Sequence, residues 1–554
     1  MKKLISLFLV TLMLFAVMTP AASAANAYDP LPIIYIRGNG EQLYNADGTE
    51  LSATLDGLSL GGDEGGFSKE VIVETAVNIL LPFVTEGMLF DKWDNYGRAL
   101  YDELSPLFAG AALDGDGNPM NGTGVSPKVL ADSENASKSA WSYQNGRDYN
   151  FCYDWRLSPY DHVERLHGYI QDIMEATGKD QVSIYGRCIG GGLLMAYLKE
   201  YGDEGHIKNV IFSDVLSNEA TVISKAFSGQ VEFDAKLVER YAGQLDFCGR
   251  VDMGVGFVFS DILNEIVIKT MDFFNQINVT DMALDEVEAL YEKLYKALIP
   301  SVCHAAGIAT QANYWTCVAE EDMDAALNLL FGEKGSELRT KYAGLIAKIQ
   351  KYRENVSSDL DGFYKGLEEN GIHYGFVAKY GFLNAPFTKD ADILSDALVS
   401  LTSATYGATT APVGKTLSED YIAKVPAEKQ KYISADKQVD LSTAVSPETT
   451  WVFKNAHHNV YDTYVPLMKA FLNGTNETVD SLTGGVNFML YDFDTNTYVP
   501  LTEENDCELE FMTRPEENPT TETRLISFMR FFTMIIEFIT KLFKGELSFS
   551  GILG

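Results

Sequence analysis

The chain has 554 residues, of which 46% are hydrophobic and 22% are charged, and this composition excludes a disordered chain. Acidic residues outnumber basic ones by 78 to 43, so the formal net charge is −35. Such an acidic surface repels nucleic-acid phosphates, so we expect no nucleic-acid partner and attribute the charge to solubility.

The first 24 residues have the pattern of a secretory signal peptide. A short positive start precedes an apolar run, and Ala22-Ser23-Ala24 supplies the small residues of a cleavage site. We therefore predict a mature chain that begins near residue 25. It is expected to be secreted or associated with the cell surface.

Strand and helix signals alternate along the rest of the chain, in runs of β-branched and apolar residues and in helical periodicity. In chain order they predict a strand at 32–36, a helical stretch at 67–107, a strand and its exit at 148–156, a helix at 160–178, a strand at 180–186, a helix at 188–201 and a strand at 208–214. A mainly helical stretch at 219–370 follows, then strands at 371–381 and 449–458, a helix at 460–473 and strands within 484–512. This alternation predicts an α/β fold with a mostly parallel sheet and helices on both faces.

The same pattern divides the chain into segments. We predict a signal peptide at 1–24, a core in two parts at 25–218 and 371–473, a large helical cap or lid at 219–370, a small β appendage at 474–523, and an amphipathic C-terminal helix and tail at 524–554. The polar stripe along 524–545 favours a helix that lies on a surface over one that spans a membrane. That surface is either the protein itself or a membrane.

The six cysteines have no framework spacing, although Cys303 and Cys317 are near enough in sequence to bridge one loop. The sequence does not decide whether they do. No C-x-x-C pair and no cluster of histidines indicates zinc, so we expect neither a metal nor a cofactor.

A glycine-rich turn, SIYGRCIGGG, carries the strongest chemical signal. The G-x-C-x-G string at 186–190 lies between a predicted strand and a predicted helix, as in a nucleophile elbow, with Cys188 as the nucleophile. The amino end of the helix would stabilise a thiolate, and the amide of Ile189 is the first expected oxyanion donor. Asn39, in the R-G-N-G loop after the first strand, is the second. The alternative is a glycine-rich turn with an inert buried cysteine.

The string Y-D-W-R-L-S-P at 153–159 resembles the Y-D-W-R-x-x-P signature of the lecithin:cholesterol acyltransferase group of α/β-hydrolases. The resemblance covers residues 30–215 and 370–472. It implies an α/β-hydrolase fold and a lipase-, esterase- or acyltransferase-like enzyme acting on a lipid-like acyl ester. Cys188 replaces the serine of that group, but its surroundings also resemble the cysteine elbow of polyhydroxyalkanoate synthases and dienelactone hydrolases. Both hydrolysis and O-acyl transfer therefore remain open.

The resemblance also implies a base and an acid. The family carries its histidine between a late strand and a helix, where this chain has His457 and His458, and we favour His458. The string S-D-A-L-V-S-L resembles the family's D-G-x-V-P-x-x-S segment, which favours Asp396 as the acid; Asp436 is the competitor. The acid would orient the imidazole and stabilise its charged form.

Two functions remain open at this stage. The first is a secreted enzyme with a Cys188–His458–Asp396 triad that acts on acyl esters. The second is a catalytically inactive binding or surface-interaction protein that has kept a hydrolase core, which the cysteine at the elbow and the arginine in the R-G-N-G loop favour.

Overall fold

A computed structural model of the protein describes residues 30–512 except for 39–40, 52–77, 79–81, 109, 141–145, 217–218, 232–236, 238–239, 242, 245–246, 249–283, 387, 390, 461–462 and 494. The predicted signal peptide, Asn39 and the predicted C-terminal helix lie outside the described residues.

The strands of the described residues are β1 (Ile33–Ile36), β2 (Leu43–Tyr44), β3 (Gly124–Val125), β4 (Asp148–Asn150), β5 (Val182–Arg187), β6 (Ile207–Ser213), β7 (His373–Tyr380), β8 (Thr409–Thr410), β9 (Val439–Asp440), β10 (Thr450–Lys454), β11 (Phe488–Asp492) and β12 (Thr497–Pro500). Eight of them form one sheet in the order β12-β11-β10-β7-β6-β5-β1-β4. All neighbours in it pair in parallel except β11 and β12, which are antiparallel. The predicted α/β class with a mostly parallel sheet is confirmed.

The α-helices of the described residues are α1 (Trp93–Phe108), α2 (Pro127–Ser137), α3 (Val163–Thr177), α4 (Gly190–Tyr201), α5 (Thr221–Ser228), α6 (Leu284–Ala305), α7 (Met323–Phe331), α8 (Glu337–Lys341), α9 (Ala343–Asn355), α10 (Leu360–Glu369), α11 (Leu401–Ala404), α12 (Glu419–Ile422), α13 (Val465–Asn473) and α14 (Val479–Thr483). Helices α5 to α10 lie within the predicted cap, and α6 packs against α1. No helix in the described part of the chain has the length and apolar character needed to cross a membrane.

Helices cover both faces of the sheet. Successive side chains of a strand point to opposite faces, so Val210 and Phe212 of β6 pack in one cluster and Ile211 in another. Helices α3 and α4 contribute to the first cluster, whereas α13 contributes Met468 and Phe471 to the second. Burial on both faces explains the nearly continuous apolar runs of the central strands.

The strand and exit predicted at 148–156 are present: β4 ends at Asn150, and the side chains of Tyr153 and Trp155 in its exit bond to the loop after β1. One predicted segment differs from the structure. The strands predicted as a separate appendage are β11 and β12, which form one edge of the central sheet. The apolar residues of β11 are buried and pair with β10, so these strands complete the main core.

Candidate functional site

The three residues predicted as a triad follow three strands of the central sheet. Cys188 comes directly after β5, Asp396 lies in the loop that follows β7, and His458 lies in the loop after β10. Because these strands are parallel, their carboxyl ends meet at one edge of the sheet, where α/β proteins usually bind ligands. The fold therefore brings together residues that are far apart in sequence.

Cys188 occupies a strained turn between β5 and α4. Its φ of 54° lies in the left-handed region, which is uncommon for a residue other than glycine. The turn is fixed on both sides, because the amide of Cys188 donates to the carbonyl of Ser213 at 3.1 Å and its carbonyl accepts from the amide of Gly191 at 3.0 Å. Ile189 is the residue that caps the amino end of α4.

Close packing explains the glycines of this turn. A Cβ atom at Gly186 would lie 2.4 Å from Cδ2 of Leu194, and one at Gly190 would lie 2.4 Å from the carbonyl oxygen of Arg37. A Cβ at Gly38, in the loop after β1, would lie 3.3 Å from Sγ of Cys188. The turn thus needs small flanking residues, and the exit of β1 lies directly against the thiol.

His458 and Asp396 form a buried pair that is joined by two contacts, one between their side chains and one between their backbones. Nδ1 of His458 lies 2.7 Å from Oδ2 of Asp396, and the backbone amide of His458 donates to the carbonyl of Asp396 at 2.9 Å. Oδ1 of Asp396 accepts hydrogen bonds from the amides of Leu398 at 3.0 Å and Val399 at 2.7 Å. These bonds fix the orientation of the carboxylate and, through it, of the imidazole.

The charges of the pair shift both pKa values. Burial lowers the pKa of His458, but the Asp396 carboxylate and the Cys188 side chain raise it by more, to about 9. Burial raises the pKa of Asp396, but the imidazolium and Lys379 lower it by more, to about 2. Nε2 of His458 has no well-aligned hydrogen bond within the described residues. The side chain of Cys188 is nevertheless close enough to contribute to the raised pKa of the imidazole.

The two competing residues have other contacts. Asp436 pairs with Nζ of Lys454 at 2.9 Å and accepts from the hydroxyl of Tyr380 at 2.7 Å. Nδ1 of His457 accepts from the amide of Asn459 at 3.2 Å, and burial lowers the pKa of His457 to about 3. The structure therefore brings Asp396, and not Asp436, to the imidazole of His458.

Two buried cations hold the backbone of His458. Nη2 of Arg187 and Nζ of Lys379 each donate to the carbonyl of His458 at 2.9 Å. Lys379 also forms a fully buried ion pair with Asp214, at 2.7 Å. This cluster was not predicted from the sequence. The lysine inside the apolar strand F-V-A-K-Y was a signal for it, because buried lysines need a charged partner.

The Y-D-W-R string tethers the loop after β1. The hydroxyl of Tyr153 donates to the carbonyl of Arg37 at 2.8 Å, and Nε1 of Trp155 donates to the carbonyl of Glu41 at 3.1 Å. The buried guanidinium of Arg156 pairs with the carboxylate of Asp154, at 2.7 Å. These bonds hold both ends of the loop that contains Asn39, the second predicted oxyanion donor.

No protein-family model matches this chain, and a search of curated proteins finds no match either. The comparisons therefore assign no family, and the site itself is the basis for a functional proposal. None of the six cysteines forms a disulfide bond in the structure, so the loop bridge considered for Cys303 and Cys317 is absent.

Proposed function

We propose that this protein is an enzyme of the α/β-hydrolase fold that cleaves or transfers the acyl group of lipid-like acyl esters. The observation that carries the proposal is the 2.7 Å contact between Asp396 and Nδ1 of His458, at the sheet edge where Cys188 occupies a positive-φ turn. A base oriented by an acid and placed next to a nucleophile is the arrangement that activates a thiol or hydroxyl.

The proposed reaction has two steps. In the reacting form the imidazole of His458 is neutral. Its Nε2 takes the proton of the Cys188 thiol, and the thiolate attacks the ester carbonyl to form a tetrahedral oxyanion. The oxyanion collapses, the C–O bond breaks, and the imidazolium gives its proton to the departing alcohol. Water or a second alcohol then loses a proton to His458, attacks the thioester and releases the Cys188 thiolate, which recovers that proton from the imidazolium.

Two backbone amides are proposed to stabilise the oxyanion. The amide of Ile189 lies at the amino end of α4, where the helix dipole favours negative charge. Asn39 remains the proposed second donor, and the tethering of its loop by Tyr153 and Trp155 supports this role. Removal of one such donor costs on the order of 10²–10³-fold in kcat in serine hydrolases.

The surroundings of the thiol support an apolar substrate. Cys188 is fully buried, with 0% of its surface exposed, and it shares a hydrophobic cluster with Ile189, Leu216 and Cys317. Substrate therefore reaches Sγ only after the covering residues move. We propose that the enzyme acts outside the cell, in line with the predicted signal peptide, and that the helix predicted at 524–545 contacts a membrane surface.

The proposal is tested with the mature protein and nitrophenyl esters of increasing chain length. We expect ester turnover and a trapped acyl group on Cys188, detected as an increase in intact mass equal to the acyl group. Cys188→Ala should abolish both. Cys317→Ala is the matched control, because it removes another buried thiol near Cys188 and should keep both.

Equal turnover and equal labelling in the protein and in Cys188→Ala would contradict the proposal. That result would favour the non-catalytic binding protein. Cys188→Ser then separates chemistry from packing, because the hydroxyl fills the same turn. If the proposal holds, this variant stays folded and has a much lower rate of acyl transfer.

A further inference from the structure

A second group of polar side chains lies at the end of the sheet opposite Cys188. His167 belongs to α3, Glu204 follows α4, and His206 directly precedes β6, so the three come from different segments. Their ligand atoms all lie within 4.8 Å of one another. This grouping was not predicted from the sequence, because only the folded chain brings the two histidines together.

The distances within this group suit a tetrahedral metal ion. Oε2 of Glu204 lies 3.3 Å from Nδ1 of His206 and 3.7 Å from Nε2 of His167. With metal–ligand bonds of about 2.0–2.1 Å, neighbouring ligand atoms of a tetrahedral zinc site are about 3.3–3.4 Å apart. Of these two distances, one already fits and the other requires a shift of a few tenths of an ångström. The ligand atoms of the two imidazoles lie within 4.8 Å of each other, and binding would bring them to the same spacing.

The hydrogen bonds of the two imidazoles are compatible with a metal. The amide of Gln171 donates to Nε2 of His167 at 2.7 Å, so this nitrogen is an acceptor whose lone pair is directed at Gln171. Nδ1 of His206 is buried and has no hydrogen-bond partner within the described residues. The ring of His167 is stacked on Tyr201, with centroids 3.9 Å apart, which restricts its orientation.

The local charge favours a cation. Glu204 is one of the three proposed ligands, and its carboxylate lies next to both imidazoles. The chain has a formal net charge of −35, and a divalent ion bound here would offset part of this negative charge.

We propose that His167, Glu204 and His206 bind a divalent transition-metal ion of the Zn²⁺ type, with water as the fourth ligand. Two imidazoles and one carboxylate are ligands that suit zinc and disfavour calcium or magnesium. The ion would replace Gln171 as the partner of His167. Since it would join α3, the end of α4 and the start of β6, its role is structural and independent of the reaction at Cys188.

The test is a calorimetric titration of the mature protein with Zn²⁺, in a Cys507→Ser background because Cys507 is exposed and thiolates also bind zinc. We expect one bound ion per chain and a higher unfolding temperature with the metal. Glu204→Gln and His206→Gln should each weaken binding by more than about 10-fold. Glu200→Gln is the matched control, since it removes the same charge next to Tyr201 but no ligand, and it should bind almost as tightly.

Absence of Zn²⁺ binding in the background protein would overturn the proposal, as would equal losses in Glu204→Gln and Glu200→Gln. A Co²⁺ spectrum provides a second readout that needs no ligand variant. Tetrahedral nitrogen and oxygen ligands are expected, whereas a thiolate charge-transfer band would place the ion on a cysteine and contradict the site. Ester turnover is measured in parallel and should not change.

Discussion

Replacement of Asp396 by asparagine removes the carboxylate that contacts His458, and it changes the pH dependence of stability. In the wild type the carboxylate contributes the largest of the effects that raise the pKa of His458, to about 9. In Asp396→Asn this contribution is lost while burial still lowers the pKa. The imidazole should then be neutral at pH 7 in the folded protein.

The size of the effect follows from proton linkage. Unfolded His458 has a pKa of about 6.5, so the folded protein holds one extra proton between about pH 6.5 and 9. The stabilisation is complete below about pH 6.5 and is lost as the pH rises through about 9. Its slope is at most about 1.4 kcal/mol per pH unit, and its total is on the order of 3 kcal/mol.

Urea unfolding from pH 6 to 9.5 measures this slope in the wild type and in both aspartate variants. Asp396→Asn should flatten the slope and lower ester turnover by on the order of 10³–10⁴-fold, as in other triads. Asp436→Asn should lose stability, because Asp436 pairs with the buried Lys454, but it should keep the slope. A slope that survives in Asp396→Asn and disappears in Asp436→Asn would refute the assignment of the acid.

Two further predictions concern the turn and its neighbouring loop. Gly190→Ala should destabilise the protein by about 1–3 kcal/mol, because the new Cβ would lie 2.4 Å from a backbone oxygen of Arg37. Gly168→Ala, in α3 where nothing lies within 4 Å, should stabilise it by up to about 1 kcal/mol, and equal urea midpoints would contradict the close approach. Tyr153→Phe should cost about 1 kcal/mol and lower kcat more than it changes KM, because the loop that contains Asn39 loses a tether. Unchanged kinetics would show that this tether has no part in the reaction.

The sheet was predictable because its strands are short apolar runs between helical segments. Strands β5 and β6 are buried along nearly their whole length, and each contains a run of apolar residues that identifies it as a strand. The assignment of β11 and β12 to an appendage had a different cause. Periodicity identifies a strand but not its partner, and only the pairing of β11 with β10 places both strands in the main sheet.

The candidate site was predictable where chain order and local motifs sufficed. Cys188, Asp396 and His458 each follow a strand, and a parallel sheet places such positions at one edge. Side-chain partners that depend on tertiary contacts were not predictable in this way. Arg187 occupies a variable position of the turn motif, and nothing in its local sequence indicates that it donates to the carbonyl of His458.

The buried charges around the candidate site balance one another. Arg187 and Lys379 supply two positive charges, and Asp214 and Asp396 supply two negative ones, all with little or no exposure. These four charges balance when the imidazole of His458 is neutral, and below about pH 9 the protonated imidazole adds one positive charge. Transfer of a proton from Cys188 to the neutral imidazole creates one charge of each sign and leaves the total unchanged. An uncompensated buried charge costs several kcal/mol, so this balance allows an ion pair to form without solvent. The proposed chemistry therefore needs the site to open for substrate entry but not for the activation of the thiol.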